Sequence, residues 1–376
     1  MKLITVNIEG DKHLERVLAF LEREHADVIC MQELFVTDAV FFSERLNMQY
    51  AYSPMLYAKR KKSDLETGEE LGIGIFSHTP LTDVKSQNYW SPSDTLEQFD
   101  STDVHTKRKT ERHVLLSGNI DIAGELFTIA TTHFTWTPNG LPDHYQETDA
   151  EALLSLLSRM PEVIVCGDFN IPRGHNNLYK KITTIYKDAI PTSYISSLDL
   201  TLHRAGKDPI EATNLAKFMV DYIFLSKKYE ATEVRLEGNI SDHMAVIGTI
   251  HVLHPGVAHV TKYAGTVARG ESTGTRLGFP TANIPLQDAK LTGIYAGTVI
   301  VQGTSYQAGI YANQHRHILE AHVLDFSGDL YGKTITITLD KKIRDDKEFA
   351  SFSNEAELSK TIADDIRQVR EYFNKS

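Results

Sequence analysis

Over the first 250 residues short β-branched runs alternate with amphipathic stretches. Leu3–Ile8 reads as a strand, Leu14, Val17, Leu18 and Leu21 recur at helical spacing, and Val28–Met31 begins a second strand. The same pattern predicts strands at Gly72–Ser77, His113–Asp121, Leu126–His133, Glu162–Cys166, Val220–Leu225 and Met244–His251, with a helix over Gln146–Ser158. The polar stretch from Lys59 to Glu70 offers almost nothing to bury and reads as a mobile loop. Around His254-Pro255-Gly256 the pattern changes, and from Tyr263 onward short strands are broken by glycine. Leu358, Ile362, Ile366, Val369 and Phe373 close the chain with the spacing of one apolar helix face. The expected domains are therefore 1–253 and 254–376, with no internal repeat.

Composition narrows the class. Of 376 residues, 41% are hydrophobic and 24% charged, ordinary globular usage that excludes wholesale disorder, collagen and coiled coil. No run reaches the roughly 18 apolar residues of a spanning helix, and Glu9 interrupts any signal-peptide core, so a cytoplasmic location without membrane contact is expected. Cys30 and Cys166 lie inside apolar runs, where core packing is a better account than a disulfide. Residues 1–250 hold 25 Lys and Arg against 36 Asp and Glu, and the remainder 14 against 14, so the whole net charge of −11 belongs to the first part. An acidic surface disfavours long nucleic-acid tracts, whose binding depends on Lys and Arg displacing counterions. The runs Lys59–Lys62 and Lys107–Lys109 read as solvated loop faces or, alternatively, as phosphate grips.

Several polar residues stand where an apolar strand stops: Asn7, Glu33, His133, Gly167-Asp168-Phe169-Asn170, Asp221 and Ser241-Asp242-His243. Singly each has a plain explanation, as a turn residue, a helix N-cap or a packed histidine. Together they supply metal-assisted phosphate-ester hydrolysis. Glu33 and Asn7 offer the oxygen ligands a hard cation takes, and Asp168 and Asn170 offer a base and an orienting group for water. His133, His243 and Arg112 offer donors to the extra charge on phosphorus, with Asp221 to hold a histidine ring.

In this order, from Asn7 through Met31-Gln32-Glu33, Arg112, Thr132-His133, Gly167–Asn170 and Asp221–Phe224 to Ser241-Asp242-His243, the residues resemble the endonuclease/exonuclease/phosphatase superfamily. The resemblance implies a two-sheet α/β sandwich with its site at the rim where the sheets meet. It also implies Mg²⁺ or Mn²⁺ held by Glu33 with Asn7 and Asp242 nearby, water prepared by Asp168, and a scissile phosphate contacted by His133, Asn170 and an Asp221-oriented His243. Members of that superfamily cleave DNA, RNA tails, phosphotyrosyl links, inositol phosphates and small nucleotides. Acidic charge and few basic-aromatic surfaces favour a small phosphorylated molecule or a chain end here.

The second part carries Gly265–Gly270 leading into Gly274–Ile284, a glycine density that lets backbone amides approach phosphates but equally suits turns of a small barrel. Thr281 and Asn283 share one side of an extended segment and offer oxygens to a nucleotide-bound Mg²⁺; Glu320 stands downstream as a base for a hydroxyl. Phe279–Asn283, Gly293–Ala296, Glu320, Asp325-Phe326, Asp329–Gly332, Ile343-Arg344 and the closing helix resemble the riboflavin kinase domain in order. That implies a small closed β-barrel with a C-terminal helix, and transfer of the ATP γ-phosphate to riboflavin to give FMN. The residues carried over for nucleotide and Mg²⁺ are Gly270, Gly274, Gly278, Thr281, Asn283 and Arg344. One departure is the segment Gly309–His317, where that family usually has an Arg-Pro-Thr turn.

Bacterial riboflavin kinase domains are commonly preceded by an FAD-forming adenylyltransferase with a His-x-Gly-His turn, which the first 250 residues lack. The expected function is a bifunctional enzyme whose front domain hydrolyses a phosphodiester, pyrophosphate or phosphate ester, FAD being the first substrate to try, and whose second domain makes FMN. The alternatives are a nuclease or end-processing enzyme, and a barrel that senses flavin without phosphorylating it.

Overall fold

The computed structural model describes residues 1–60, 68–253, 261–268, 276, 279–286, 291–313, 316–346 and 355–375. Two compact units divide the chain, Met1–Leu253 and His254–Ser376.

Twelve strands of the front unit form two six-stranded sheets. They are β1 (Lys2–Asn7), β2 (Val28–Phe35), β3 (Gln49–Ala58), β4 (Glu69–Ser77), β5 (Leu81–Trp90), β6 (His113–Ile122), β7 (Glu125–His133), β8 (Ile164–Asp168), β9 (Lys187–Asp188), β10 (Asp221–Leu225), β11 (Tyr229–Glu237) and β12 (Ala245–Val252). The sheet orders are β11-β12-β1-β2-β4-β3 and β5-β6-β7-β8-β10-β9. Each sheet contains one parallel pair, β1 with β2 and β7 with β8. Helix α1 (Leu14–Glu24) and a second helix, His144–Leu157, make the crossovers such pairs require.

The inner faces of the sheets close over Leu3, Val28, Cys30 and Ile75 on one side and Leu115, Ile129, Cys166 and Phe224 on the other. Both cysteines are free and buried, and burial together with the neighbouring Cys166 pushes the Cys30 thiol up, so it packs as an apolar group. One polar bridge crosses this core: Gln32 Nε2 donates to Thr5 Oγ1 at 3.2 Å and to Thr131 Oγ1 at 3.0 Å.

Two expectations shift. Most of the stretch expected as a loop, 61–67, lies outside the described residues, but its ends are structured. Glu69 and Glu70 open β4, and Arg60 stacks 4.9 Å from the Phe35 ring centroid while pairing with Asp38 at 2.8 Å and Glu69 at 3.3 Å. The strand expected at Glu162–Cys166 runs instead over Ile164–Asp168, because Gly167 adopts φ 134° where an added Cβ would lie 2.1 Å from Thr132 O. Glycine thereby lets the strand continue and keeps Asp168 paired within the sheet.

The second unit is a six-stranded antiparallel barrel in the order β13 (Thr261–Thr266), β18 (Thr334–Arg344), β15 (Gly293–Val301), β16 (Thr304–Asn313), β17 (Ile318–Val323) and β14 (Ala282–Pro285). A bridge between Ala268 and Asn283 brings the first and last strands together and nearly closes it. Ile284, Val299, Ile310, Leu319 and Ile337 fill the interior. The C-terminal helix Glu355–Lys375 lays Ile366, Val369 and Phe373 against the outer face, where Gly309 leaves room for Ile366; a Cβ there would stand 2.7 Å from its Cδ1. Among the described residues no helix is long and apolar enough to cross a membrane.

Candidate functional site

Both parallel pairs of the front unit end at one place. Asn7 is in register with Gln32 across β1–β2, His133 with Asp168 across β7–β8, and Asp168 with Asp221 across β8–β10. Beyond Gln32 an irregularity between Met31 and Leu34 breaks the β2–β4 register, and Glu33 takes φ 53°, which turns its side chain out to the rim.

Asn7 ties the sheets together, its Nδ2 donating to Glu33 Oε1 at 3.1 Å and to Asp168 Oδ2 at 3.2 Å. The same Asp168 oxygen is faced by His133 Nε2 at 3.5 Å and His243 Nε2 at 3.8 Å. Its other oxygen accepts the Asn170 backbone N–H at 2.9 Å. His133 Nε2 also stands 3.9 Å from Glu33 Oε1. Behind His243, Nδ1 lies 2.8 Å from Asp221 Oδ2, which accepts in addition from Ser197 Oγ at 2.6 Å.

Burial and charge give the two histidines opposite states. Burial pushes His133 down to about 4 against the pull of Asp168, so its ring is neutral near pH 7. Burial would lower His243 too, but Asp221 and Asp168 outweigh it and hold the ring well above the usual histidine range, as a cation. Asp168 is itself raised by burial, with His243 and His133 pulling the other way.

Asp242 adjoins this centre. Burial raises its carboxyl against the pull of His243, and the negative charges of Glu9 and Glu33 add to the rise. Carboxylate oxygens of Glu33 and Asp242 that repel one another at one edge, beside an Asn side chain, suit a hard divalent cation. The group Asp168, Asp221 and His243 also brings one donor atom from each residue within 4.8 Å. It fits a cation less well, because Asp221 is already bonded to His243 and a cationic imidazole has no free lone pair.

Arg112 immediately precedes β6. Its backbone N–H donates to Met55 O at 3.1 Å, and its buried Nη2 finds no partner among the described residues.

In the barrel unit a register row crosses five strands: Asn283, Glu320, Tyr311, Ile294 and Arg344 lie opposite one another in turn. Opposed residues share a face, and the alternate positions Ile284, Leu319 and Ile310 point into the core, so the row faces outward. Asn313 Nδ2 lies 3.5 Å from Glu320 Oε1, and Tyr311 Oη donates to Asp346 Oδ2 at 3.0 Å. Asn283 Oδ1 is buried without a partner, an orphaned oxygen of the kind a hard cation would satisfy. Thr281 is half-buried just before β14. Arg344 is committed elsewhere, its Nε and Nη2 each 2.7 Å from an Asp365 oxygen on the C-terminal helix. Gly270, Gly274 and Gly278 lie outside the described residues.

The model of the endonuclease/exonuclease/phosphatase family matches residues 4–243. The chain belongs to that family. A riboflavin kinase model matches residues 257–373, so the family's fold is joined here to a riboflavin kinase domain. Curated relatives match that second part. The bifunctional riboflavin kinase/FMN adenylyltransferase of Escherichia coli (strain K12) is 39% identical over 127 residues, covering 31% of this chain and 39% of that one. The RNA-binding riboflavin kinase of Bacillus subtilis (strain 168) is 34% identical over 125 residues, covering 30% and 52%. The chain thus spans about two fifths of the length of the first of these relatives. Among solved structures, an endonuclease/exonuclease/phosphatase from Beutenbergia cavernae is similar in fold, with TM-score 0.50 and 14% identity over 90% of this chain and 99% of that one. One from Bacteroides vulgatus has TM-score 0.49 and 18% identity over 67% and 98%.

The family motifs do not contain every residue that shapes the site. Ser197 braces Asp221, and Gln146, fully buried in the helix His144–Leu157, donates to Thr135 O at 2.7 Å and Asn170 O at 3.2 Å. Beneath His133, the ring of His113 lies 3.4 Å from Glu111 and 3.3 Å from His133 O. Each acts through a neighbour, and nothing in sequence spacing marks it.

Proposed function

We propose that the front unit hydrolyses a phosphate linkage in a small phosphorylated molecule with the help of Mg²⁺ or Mn²⁺, and that the barrel unit phosphorylates riboflavin to FMN at the expense of ATP. The observation that carries the first half is the Asp168 carboxylate, buried at the meeting of two sheets between a neutral and a cationic histidine. Asp168 takes the proton of an attacking water that the Asn170 side of the turn orients. The N–H groups of His133 and of the Asp221-held His243 meet the phosphoryl oxygens, where negative charge grows. Arg112, whose buried Nη2 has no partner among the described residues, would add a further donor. Glu33 with Asn7 and Asp242 would hold the cation, which when bound polarises the phosphoryl group as a Lewis acid. In the barrel, Glu320 takes the proton of the acceptor hydroxyl, while Thr281 and Asn283 would hold Mg²⁺ with the nucleotide.

The joining of a hydrolase to a flavin kinase favours a flavin nucleotide, and the pyrophosphate of FAD in particular, as the shared chemistry. Purified full-length chain with Mg²⁺ is expected to release AMP and FMN from FAD and to form FMN from riboflavin plus ATP. Cleavage of labelled oligonucleotides at low enzyme with FAD untouched overturns the first assignment, and tight flavin binding without FMN formation overturns the second.

A further inference from the structure

Three residues beyond His133 the front unit exposes a large aromatic side chain on a firmly built loop. Phe134, Thr135 and Thr137 are buried, whereas Trp136 between them is 43% exposed. The loop is held from behind: Thr135 O accepts from Gln146 Nε2, Thr135 Oγ1 donates to Asp149, and Phe134 N–H donates to Asp168 O at 2.8 Å. Because Gln146 bonds Asn170 O through the same amide nitrogen, the Trp136 loop and the Asp168–Asn170 turn form one hydrogen-bonded body. Exposing an indole costs hydrophobic free energy, and a loop this well braced has no need of it for packing.

Opposite the indole stands the short helix Val104–Thr110. Arg108 clamps it in place, buried against Asp149 and stacked 3.6 Å from the Trp90 ring centroid. The next residue back, Lys107, sets its ammonium 4.7 Å from the Trp136 ring centroid. The nearest carboxylate to that ammonium, Glu111, is at 4.0 Å, and the ammonium makes no hydrogen bond among the described residues. The charge of Lys107 is felt at His133, where it helps keep that ring neutral. Three residues of extended chain span at most about 10 Å, so the Trp136 backbone lies within about that distance of His133.

We propose that Trp136 and Lys107 form a platform on which the flat heteroaromatic ring of a small nucleotide stacks, with Lys107 meeting its flanking phosphate, while the reacting phosphorus lies against His133 and Asp168. This rests on the hydrolase reading above and gives it a substrate class: nucleotides and dinucleotides rather than sugar phosphates. Aromatic stacking supplies ring recognition without reading base identity, and an ammonium over the indole adds charge where the phosphate arrives.

The test uses the full chain carrying Asp168→Asn, so that nothing is turned over, titrated with AMP and with ribose 5-phosphate while tryptophan emission is followed. AMP is expected to quench saturably, the quench is expected to vanish in Trp136→Leu, and Lys107→Ala is expected to weaken AMP at least fivefold. Ribose 5-phosphate is expected to leave the emission unchanged. An equal quench in Trp136→Leu, or an equal response to ribose 5-phosphate, overturns the platform, and so does binding of a single-stranded oligonucleotide far tighter than AMP. With Asp168 intact, Trp136→Leu is expected to lower kcat/KM for FAD at least tenfold, mainly through KM. If the wild type hydrolyses no phosphate ester with any divalent metal, the hydrolase reading fails while the AMP titration still decides the platform.

Discussion

The two units assemble their chemistry in opposite ways. In the front unit Asn7 and Asp168, 161 residues apart, meet only because the carboxyl ends of two parallel strand pairs converge. The barrel instead draws Asn283, Glu320 and Tyr311 from strands that pair side by side, in a single register row. A convergent site needs both sheets seated before any of it exists, and it is braced accordingly by Ser197, Gln146 and the Gln32 bridge. A register row exists as soon as neighbouring strands pair, and its polar groups face outward with an orphaned Asn283 oxygen.

The sharpest way to break that contrast is to remove one member of each centre. Asp168→Asn keeps the shape but removes the proposed base, and hydrolysis is expected to fall by about a thousandfold or more, on the order of 4 kcal/mol. FMN formation from riboflavin and ATP, measured on the same preparation, is expected to persist. Asn283→Ala and Glu320→Gln should do the reverse, each lowering FMN formation by about a hundredfold or more while hydrolysis is retained. Loss of both activities from one substitution would show a shared site or a folding defect, which circular dichroism separates.

The next effect separates the histidines within the convergent site. Asp221→Asn removes the largest of the charges that hold His243 up, leaving Asp168 and Asp242 to oppose the burial that pushes the ring down. Titration of the ring by NMR should move His243 downward while His133 stays near its value of about 4. Hydrolysis is expected to drop by about a hundredfold, since a neutral His243 stabilises phosphoryl charge less well. An unmoved His243 would show that Asp221 is not its anchor.

Much of this was legible in the sequence, for a physical reason. Strand ends are punctuated by polar residues because apolar runs stop where burial stops, so Asn7, Glu33, His133 and Asp221 stood out from their own neighbours. Strands β3, β5 and β11 escaped that reading because each is partly exposed and mixed in polarity, as in Leu81–Trp90 with its exposed Thr82–Ser86. Arg344 shows the limit of motif matching, since its guanidinium is taken by Asp365 on the last helix, a pairing that no motif encodes. Gln146 and Trp136 carry no motif at all. Their importance lies in which backbone carbonyls share an amide and in exposure against a buried loop, neither of which a one-dimensional pattern records.

The smallest effect tests whether the front unit's stability is separable from its chemistry. Asn7 sits at the carboxyl end of β1, and Lys2 at the amino end belongs to an ion-pair cluster: Glu24 Oε2 is 2.8 Å from Lys2 Nζ and 2.6 Å from Arg235 Nη2. Burial alone would raise Glu24, but Lys2 and Arg235 outweigh it and bring the carboxyl from 4.5 down to about 2. A folded value below the unfolded one means that this stabilisation is present above pH 4.5 and is lost as pH falls toward 2. Since Lys2 and Arg235 are partly open to solvent, screening reduces the contribution to about 1–2 kcal/mol. Glu24→Gln should therefore lower the unfolding free energy obtained from urea denaturation at pH 7 by that amount, with the gap from wild type narrowing steadily once the pH passes below 4.5. Hydrolysis per folded molecule should be unaltered. A gap that stays constant down the acid range would show that Glu24 stabilises through packing of its side chain and not through its charge, and a change in turnover would tie the far end of β1 to the site after all.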